Sequence, residues 1–437
     1  MAYLLNLVYL ALLVLASPWL VVAAIRQGKY RAGFAQKFLG RVPRRDSQSP
    51  CVWLHAVSLG EVSLISPLVD ELRSRHPDWQ IAISTTTATG YALARTRYAQ
   101  HLVFYCPLDF TWAVKSAVAR LRPSLLILAE LELWPNLIAA ARQHGAKVAV
   151  INGRLSDRSF RGYGRVPRIA SRLLGQLDLI AAQNAQYAER FVALGAPAER
   201  VHVTGSLKFD GAQTDRANSQ TVQLARLAGF AADDVVFLAG STQEPEERLA
   251  VEMFKQLSAS EPRLRLVLVP RHPDRFEEVA KLLSASGLIW QRRSRLENRP
   301  TDAFCRVLLV DRVGELAAWW GTAKIAYVGG SMGPRNGQNM IEPAAYGAAV
   351  SFGPKTHNFR DVVAALLAAD AAVVVPDGAA LTAFVERCLQ DPAFAEALGN
   401  RARQVVASQL GATRRTADLL DALVANQHQV TAHRSAA

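Results

Sequence analysis

The sequence predicts an α/β protein built from two doubly wound parallel sheets in tandem. Short apolar runs alternate with helix-like segments along most of the 437 residues, which is typical of parallel strands joined by crossover helices. A polar segment without apolar periodicity, at 210–218, separates two such series. Half of the residues are hydrophobic, at 50%, which is enough apolar material for two cores. We therefore expect two Rossmann-like domains, each with a ligand crevice at the carboxyl ends of its strands.

The first 25 residues predict a membrane anchor. The stretch 3–25 is almost entirely apolar, and basic residues follow it from Arg26 to Arg45 without an acid among them. That length suits a transmembrane helix of about 20 residues, and the charge order leaves the rest of the chain in the cytoplasm. A cleaved signal peptide is the alternative, although its basic residues would precede the apolar run. The expected organisation is an anchor at 1–25, an N-terminal domain at 26–212, and a C-terminal domain at 213–437 that includes the terminal helices.

The charge balance indicates anionic partners. There are 50 Lys and Arg residues against 37 Asp and Glu, a net charge of +13, which favours a phosphorylated substrate, an acidic membrane surface or nucleic acid. Basic residues next to an apolar anchor are also suited to anionic lipids of the inner membrane. The four cysteines lie far apart without a CxxC pair, and no HExxH motif occurs. We therefore expect neither a disulfide framework nor a metal site built by the protein.

The segment 51–62 contains the first candidate for acid–base chemistry. Its first half has the composition of a buried strand, Ser58 and Gly60 break that pattern, and Glu61 opens an apolar-periodic run that predicts a helix. A carboxylate in the first turn of a helix stays ionised more readily, and at the edge of a parallel sheet it faces the ligand crevice. Glu61 is therefore either a general base or an ordinary N-terminal helix residue, and this segment alone leaves both interpretations open.

Four further residues in the first half follow predicted strands. Glu130 and Glu132 end the strand 124–129, and alternation in an extended stretch would place both on one face. Such a pair binds sugar hydroxyls or shares acid–base work, or else one of the two caps the helix that begins at Pro135. Arg154 follows the next strand and suits an anionic ligand. Lys208, in a Gly/Ser turn after the strand 201–203, would neutralise a phosphate or a developing negative charge, or would simply be a loop lysine.

The second half offers an anion site and a nucleotide site. Ser241 and Thr242 stand between a strand and a helix, where N–H groups and hydroxyls bind anions. Arg271 ends another strand and suits a phosphate clamp. The glycine-rich loop 329–342 follows the strand 325–328 and ends in Glu342, which is suited to hydrogen-bonding ribose hydroxyls. Neither a Walker loop nor a GxGxxG motif is matched.

Five motifs in order carry a family resemblance, and they span nearly the whole chain: Ser58–Glu61, Glu130–Asn136, Gly205–Asp210, Pro270–Pro273 and Asn339–Ala344. Together they closely resemble the lipid A Kdo transferases, which transfer 3-deoxy-D-manno-octulosonic acid. The resemblance implies a GT-B fold, with two Rossmann-like domains facing a cleft, on an N-terminal transmembrane helix. It also implies transfer of Kdo from CMP-Kdo to the lipid A precursor lipid IVA, with inversion and without a metal or other cofactor, at the cytoplasmic side of the inner membrane.

The resemblance also implies roles for individual residues. Glu61 would be the general base that deprotonates the acceptor, and Glu130 and Lys208 would stabilise the transition state. Ser58, Gly60, Glu132 and Arg154 would bind substrate in the first half, as would Ser241 and Thr242 in the second. The remaining residues on the nucleotide side would be Pro270, Arg271, Val313, Gly314, Glu315, Asn339, Met340, Ile341 and Glu342.

Three positions depart from the family pattern. Gln243 and Gln338 stand where the family usually has histidine, and Leu131 stands where it usually has threonine. Glutamine keeps hydrogen-bonding capacity but cannot become positively charged, so donor affinity or its pH dependence is expected to differ. Two alternatives stay open: a GT-B transferase that uses a UDP-sugar on another lipid-linked acceptor, and a basic membrane-associated scaffold. Binding of nucleic acid is not expected, because the basic residues cluster only beside the anchor.

Overall fold

The computed structural model describes residues 2–27, 32–297, 302 and 304–435. The chain forms two compact units, one of Met1–Asp210 with Leu410–Ala437 and one of Gly211–Gln409. We predicted that the terminal helices belong to the second domain, and for residues 410–437 that prediction is wrong. Lys29 and Arg31 of the predicted basic segment lie outside the described residues.

The first unit contains a parallel sheet of seven strands in the order β3-β2-β1-β4-β5-β6-β7. The strands are β1 (Cys51–His55), β2 (Gln80–Thr85), β3 (Leu102–Tyr105), β4 (Leu125–Ala129), β5 (Lys147–Gly153), β6 (Leu179–Ala182) and β7 (Val201–Val203). The helices are α1 (Ala2–Gln27), α2 (Phe34–Leu39), α3 (Leu59–Leu64), α4 (Ser66–Arg75), α5 (Ala88–Arg97), α6 (Thr111–Leu121), α7 (Pro135–Gln143), α8 (Asp157–Gly164), α9 (Pro167–Leu174) and α10 (Ala185–Ala193). The predicted doubly wound sheet is confirmed.

The topology fixes where a ligand binds in the first unit. β1 pairs with β2 on one side and with β4 on the other, so the direction of winding reverses between β1 and β4. All five residues of β1 and all five of β4 are buried, because helices cover both faces of the sheet. The carboxyl ends of these two strands form the crevice of a doubly wound fold.

The second unit contains another parallel sheet of seven strands, in the order β10-β11-β9-β8-β12-β13-β14. The strands are β8 (Val235–Thr242), β9 (Leu264–Pro270), β10 (Trp290–Arg292), β11 (Val307–Leu309), β12 (Ile325–Val328), β13 (Ala349–Phe352) and β14 (Ala372–Val374). The helices are α11 (Ser219–Leu227), α12 (Glu246–Leu257), α13 (Phe276–Ala285), α14 (Leu316–Trp320), α15 (Ile341–Ala345), α16 (Arg360–Ala368), α17 (Gly378–Gln390) and α18 (Pro392–Gln409). Winding reverses between β8 and β12, which pair directly. We did not predict β10, because its three residues are polar or only half-buried.

The last helix, α19 (Ala412–Ser435), packs on the first unit. Its buried side chains include Ala412, Ala417 and Leu420, which join the core cluster around α4. Asp210 accepts hydrogen bonds from the N–H groups of Gly411, at 2.7 Å, and of Thr413. A carboxylate at that end of a helix satisfies unpaired N–H groups, so Asp210 ties the start of α19 to the first unit.

The helix α1 lies against α6. Asn6 donates from Nδ2 to Thr111 Oγ1 at 2.7 Å, and its Oδ1 accepts from the Thr111 N–H at 3.1 Å. Tyr9 donates to Asp109 Oδ2 at 3.2 Å. Within the described residues, no helix has the combination of length and apolar character that crossing a membrane requires. The predicted transmembrane helix is therefore not supported.

Candidate active site

Glu61 lies in the first turn of α3, at the carboxyl end of β1, as predicted. Its Oε1 accepts from the Ser58 hydroxyl at 2.8 Å, and its Oε2 accepts from the Val57 N–H at 2.9 Å. Ser58 is the N-cap of α3, so Ser58 and Glu61 form a capping box. The structural interpretation of Glu61 is thus correct, and it does not compete with the chemical one, because the same contacts hold the carboxylate at the crevice. Burial raises the pKa of Glu61, while the hydrogen bonds from Val57 and Ser58 oppose that shift.

Glycine is not required at position 60 by the packing of this turn. Gly60 is exposed, and a Cβ atom there would meet only Ser58 Oγ, at 3.8 Å. The break in the strand pattern that Ser58 and Gly60 indicate is the start of a helix, since Ser58 is the N-cap of α3 and Gly60 belongs to α3. The missing side chain leaves the backbone beside Glu61 open to close approach by a ligand.

Glu130 and Glu132 follow β4, the strand next to β1. Glu130 has a left-handed backbone, with φ of 56°, so this segment is a turn and the predicted extended stretch is wrong. Non-glycine residues adopt that conformation rarely, and such strain concentrates at functional sites. Glu132 Oε2 accepts from the Trp134 indole at 3.0 Å. Burial, with the charges of Glu61 and Glu130, raises the pKa of Glu132 to about 7. The carboxylates of Glu61, Glu130 and Glu132 therefore lie together at the carboxyl ends of β1 and β4, where the direction of winding reverses.

Asn152 connects the strand β5 to the loop that carries Lys208. It is fully buried and has φ of 51°, and its Oδ1 accepts from the Leu207 N–H at 3.1 Å. Lys208, the next residue, and Arg154, after β5, are both half-buried at the carboxyl edge of the sheet. The sequence correctly predicted that Arg154 and Lys208 follow strands at this edge, but it did not predict that Asn152 connects β5 to the loop of Lys208.

Asp109 is a second residue that sequence reasoning missed. Its carboxylate accepts from the N–H groups of Asn136, at 3.1 Å, and Leu137, at 2.8 Å. It therefore caps α7, for which we had considered Glu130 or Glu132. Burial raises the pKa of Asp109 to about 6, against the opposing effect of these hydrogen bonds. The hydrogen bonds of Asp109 thus hold the first turn of α7, which directly follows the segment of Glu132 and Trp134.

In the second unit, Glu246 joins the loops that follow β8 and β12. This carboxylate is 1% exposed and accepts from the N–H groups of Gly330 at 2.7 Å, Ser331 at 2.9 Å, Met332 at 3.0 Å and Gln243 at 3.0 Å. Backbone N–H groups compensate the buried charge. Both loops of the predicted anion site are thus held by one residue that was not among the predicted site residues.

Ser241 and Thr242 lie at the end of β8, and both are buried. Ser241 has φ of 55°, which turns the chain sharply at the edge of the sheet. The Thr242 hydroxyl has no hydrogen-bond partner among the described residues. A buried hydroxyl without a partner at a strand end is suited to a ligand, as predicted for this pair. Gln243, which replaces the family histidine, is half-buried, and its Nε2 has no hydrogen-bond partner in the described part of the chain.

Arg271 and Glu342 are close enough to interact. Burial raises the pKa of Glu342, and the charge of Arg271, which is exposed directly after β9, is among the effects that oppose this shift. Glu342 Oε1 accepts from Asn339 Nδ2 at 3.0 Å, and Asn339 Oδ1 accepts from the Ile341 N–H at 3.1 Å. These contacts fix Glu342 and Asn339 at the start of α15, and their role in binding a nucleotide stays a prediction.

The remaining predicted contacts differ in accessibility. Met340 and Ile341 are 0% and 1% exposed, so their side chains belong to the core and only their backbone is available. Pro270 is likewise buried. Val313 is 77% exposed, and Gly314 has φ of 93°.

Glu315 is engaged by another residue. Arg293 binds both of its carboxylate oxygens, at 2.8 and 2.9 Å, and the Trp319 indole donates to it at 3.1 Å. The side chain of Glu315 therefore holds the loop after β11 rather than facing a ligand. Among the residues that the structure describes, no group of three or more His, Cys, Asp or Glu is arranged to hold a metal ion.

Comparisons with known proteins agree with this arrangement. Residues 29–211 match the family 3-deoxy-D-manno-octulosonic-acid transferase (kdotransferase). The chain is 37% identical to a 3-deoxy-D-manno-octulosonic acid transferase of Bordetella pertussis, over 92% of this chain and 95% of that one. It is 32% identical to the Haemophilus influenzae protein of the same name, over 94% and 97% of the two chains.

A solved structure extends the likeness to both units. A glycosyltransferase from Rickettsia africae is similar over 85% of this chain and 98% of its own, with a TM-score of 0.54 and 13% identity. At that identity the likeness concerns the fold alone, and it confirms the predicted architecture of two parallel α/β domains.

Proposed function

Because this chain belongs to the 3-deoxy-D-manno-octulosonic acid transferase family, and is thus a glycosyltransferase, we propose that it moves Kdo from CMP-Kdo to a lipid A precursor, lipid IVA. The observation that carries the proposal is the group of three carboxylates where β1 and β4 end, with Glu61 held by Ser58 and Val57. A carboxylate with a raised pKa in a crevice is suited to take a proton.

The proposed reaction is a single displacement with inversion. The Glu61 carboxylate takes the proton of an acceptor hydroxyl while the hydroxyl oxygen forms a bond to the anomeric carbon of Kdo. The bond from that carbon to the CMP phosphate breaks, and CMP leaves with the electron pair. Lys208 and Glu130 act on the developing charges, with Lys208 placed through the contact of Asn152 to Leu207. No step of this proposal uses a metal ion, so a chelator is expected to leave turnover unchanged.

On the nucleotide side, the proposal assigns phosphate binding to Ser241, Thr242 and Arg271, and ribose binding to Glu342 with Asn339. The support is that all of them lie at or after the carboxyl ends of strands in the second sheet, where helix N-termini and backbone N–H groups favour anions. Gln243 and Gln338 stand where the family usually has histidine, and glutamine does not titrate. Binding of CMP-Kdo is therefore expected to depend little on pH between about 6 and 8.

We further propose that the protein works at the cytoplasmic face of the inner membrane. The support is an exposed apolar surface on α1, where Tyr3 and Leu15 are each 77% exposed, followed in the sequence by basic residues from Arg26 to Arg45. Apolar side chains with adjacent basic residues bind a membrane surface that carries anionic lipids.

The test is an assay with CMP-Kdo generated in situ and a tetraacyl lipid A precursor, read by the mass of the product. Glu61→Gln keeps hydrogen-bond acceptance from Val57 but cannot take a proton. It is expected to lower turnover roughly a hundred- to ten-thousandfold. Glu199→Gln, at an exposed position of the same unit, is the matched control. Normal turnover in a folded Glu61→Gln protein would overturn the role of Glu61.

A UDP-sugar transferase is the competing proposal, and nucleotide protection separates the two. Stabilisation against heat by CMP and not by UDP supports the CMP-sugar donor, whereas the reverse result favours the alternative. A non-enzymatic scaffold is disfavoured, because the family consists of transferases.

A further inference from the structure

An apolar groove of about 290 Å³ lies in the first unit, between α1 and the segment that precedes α6. One wall comes from α1 and the other from the loop before α6 and the start of α7. Its apolar lining residues are Leu12, Leu13, Ala16, Leu108, Phe110 and Trp134. No proposed catalytic or binding residue lines this groove.

The polar groups at the groove are already paired. Tyr9 donates to Asp109 Oδ2 at 3.2 Å, and the Asp109 carboxylate also accepts from two backbone N–H groups of α7. A polar ligand would therefore find no open partner there, whereas an apolar chain loses no hydrogen bond on entering. The chemistry of the lining selects a hydrocarbon.

One wall of the groove also touches the carboxylate cluster. Trp134 lines the groove, and its indole N–H donates to Glu132 at 3.0 Å. A molecule that lies along Trp134 would thus place an apolar part in the groove and a polar part near Glu132. That is the layout of an amphiphile whose sugar hydroxyl reacts.

The other end of the groove is continuous with an exposed apolar surface. Leu12 lines the groove and is 58% exposed, and its neighbours Leu7 and Leu15 on α1 are 64% and 77% exposed. Leu12 thus belongs both to the groove and to the exposed apolar surface of α1, so a hydrocarbon chain that lies on this surface can reach the groove. The groove has a volume of about 290 Å³. If one methylene group takes about 30 Å³, as a water molecule does in the liquid, the groove holds roughly ten carbons.

We infer that this groove binds one acyl chain of the lipid acceptor and so positions the reacting sugar beside the three carboxylates. The inference rests on the proposed function, since it takes the acceptor to be an acylated sugar. Each methylene buried there increases the affinity for the acceptor by about fourfold, so affinity is expected to grow with chain length until the groove is full.

The test fills the groove and compares two acceptors. Ala16→Phe places a ring in the groove, and Ala11→Phe makes the same change at an exposed position of α1 outside the lining. Initial rates are measured in detergent with the acylated precursor, in a series of acyl lengths, and with its fully deacylated form. Melting temperature and stabilisation by CMP verify that both variants are folded.

Ala16→Phe is expected to raise KM for the acylated acceptor tenfold or more, to flatten its dependence on chain length, and to leave the deacylated acceptor unaffected. Equal effects of the two variants, or an unchanged dependence on chain length, would overturn the inference. So would a loss of binding to phospholipid vesicles with unchanged chain-length dependence, because the groove would then hold bulk membrane lipid. If the wild-type protein transfers Kdo to neither acceptor, the proposed function fails instead.

Discussion

The carboxylate of Glu246 accepts a hydrogen bond from the backbone N–H of Gly330 at 2.7 Å. Together with the hydrogen bonds from the N–H groups of Ser331 and Met332, this contact connects α12 to the glycine-rich loop after β12. A Cβ atom at the neighbouring Gly329 would come within 2.6 Å of Thr242 Cα and 2.8 Å of Glu246 Oε2. The loop is therefore glycine-rich because it lies directly against β8 and against the carboxylate that holds it.

Glu246→Gln is the first prediction. The neutral amide retains one acceptor but directs an NH₂ group at backbone N–H donors, so buried donors lose their partners. We expect the second unit to lose about 1–3 kcal/mol of stability and the affinity for CMP to fall. Chemical denaturation and CMP titration measure the two effects. Glu244→Gln, at an exposed position of the same loop, serves as the control, and similar behaviour of both variants would contradict the prediction.

The raised pKa values of Glu132 and Asp109 predict how stability depends on pH. The pKa of Glu132 is raised to about 7 and that of Asp109 to about 6, chiefly by burial. Between their ordinary values and these raised ones, the folded protein binds more protons than the unfolded chain. The contribution of these two groups to the free energy of unfolding is therefore largest below about pH 4 and decreases as pH rises through 6 and 7.

The variant that checks this pH dependence is Glu132→Gln, which keeps an acceptor for the Trp134 indole but does not titrate. Its unfolding free energy is expected to depend less steeply on pH between about 5 and 7 than that of the wild type. Urea denaturation at several pH values provides the measurement, and Glu189→Gln, exposed on α10, is the comparison. A wild-type slope retained in Glu132→Gln would show that Glu132 is not the group responsible.

The attachment of α19 gives a prediction about the organisation of the chain. Leu420 is 0% exposed and lies in the same core cluster as residues of α4. Leu420→Ala is expected to destabilise the first unit by about 2–5 kcal/mol, while the second unit keeps its stability. Arg414→Ala, at an exposed position of the same helix, should change it by less than about 0.5 kcal/mol. Limited proteolysis that reports each unit separately distinguishes these outcomes.

The positions of most strands along the chain could be predicted from the sequence, because a buried parallel strand is a short apolar run. For the same reason, residues that follow such runs, such as Glu61 and Arg271, were correctly placed at the sheet edges. The position of α19 could not be predicted, because a C-terminal amphipathic helix carries no sign of which domain it covers. The contacts that attach it, such as Arg75 with Asp421 at 2.9 Å, join residues more than 340 positions apart.

The sequence identified candidate site residues, but it did not reveal their hydrogen-bond partners or their backbone conformations. Asp109 caps a helix that begins 26 residues later, and no local pattern joins the two. The left-handed turn at Glu130 also has no sequence signal, because this conformation is usual only for glycine and, less often, asparagine. The family resemblance implied that Glu315 binds substrate, and no local pattern indicated its contact with Arg293, which lies 22 positions away.

The last prediction concerns the contact between Asn152 and the loop of Lys208. Asn152 Oδ1 accepts from the Leu207 N–H at 3.1 Å, and the φ of Asn152 is 51°. Asn152→Gly removes the hydrogen bond without adding backbone strain, because glycine adopts positive φ freely. The lost hydrogen bond contributes about 1–1.5 kcal/mol to holding Lys208 in place. If the transition state loses that stabilisation, kcat falls about five- to tenfold, and the KM for CMP-Kdo changes little. Asn152→Asp keeps an acceptor for Leu207 and should retain more of kcat than Asn152→Gly. Equal kcat values for Asn152→Gly and the wild type would show that Lys208 does not depend on this contact.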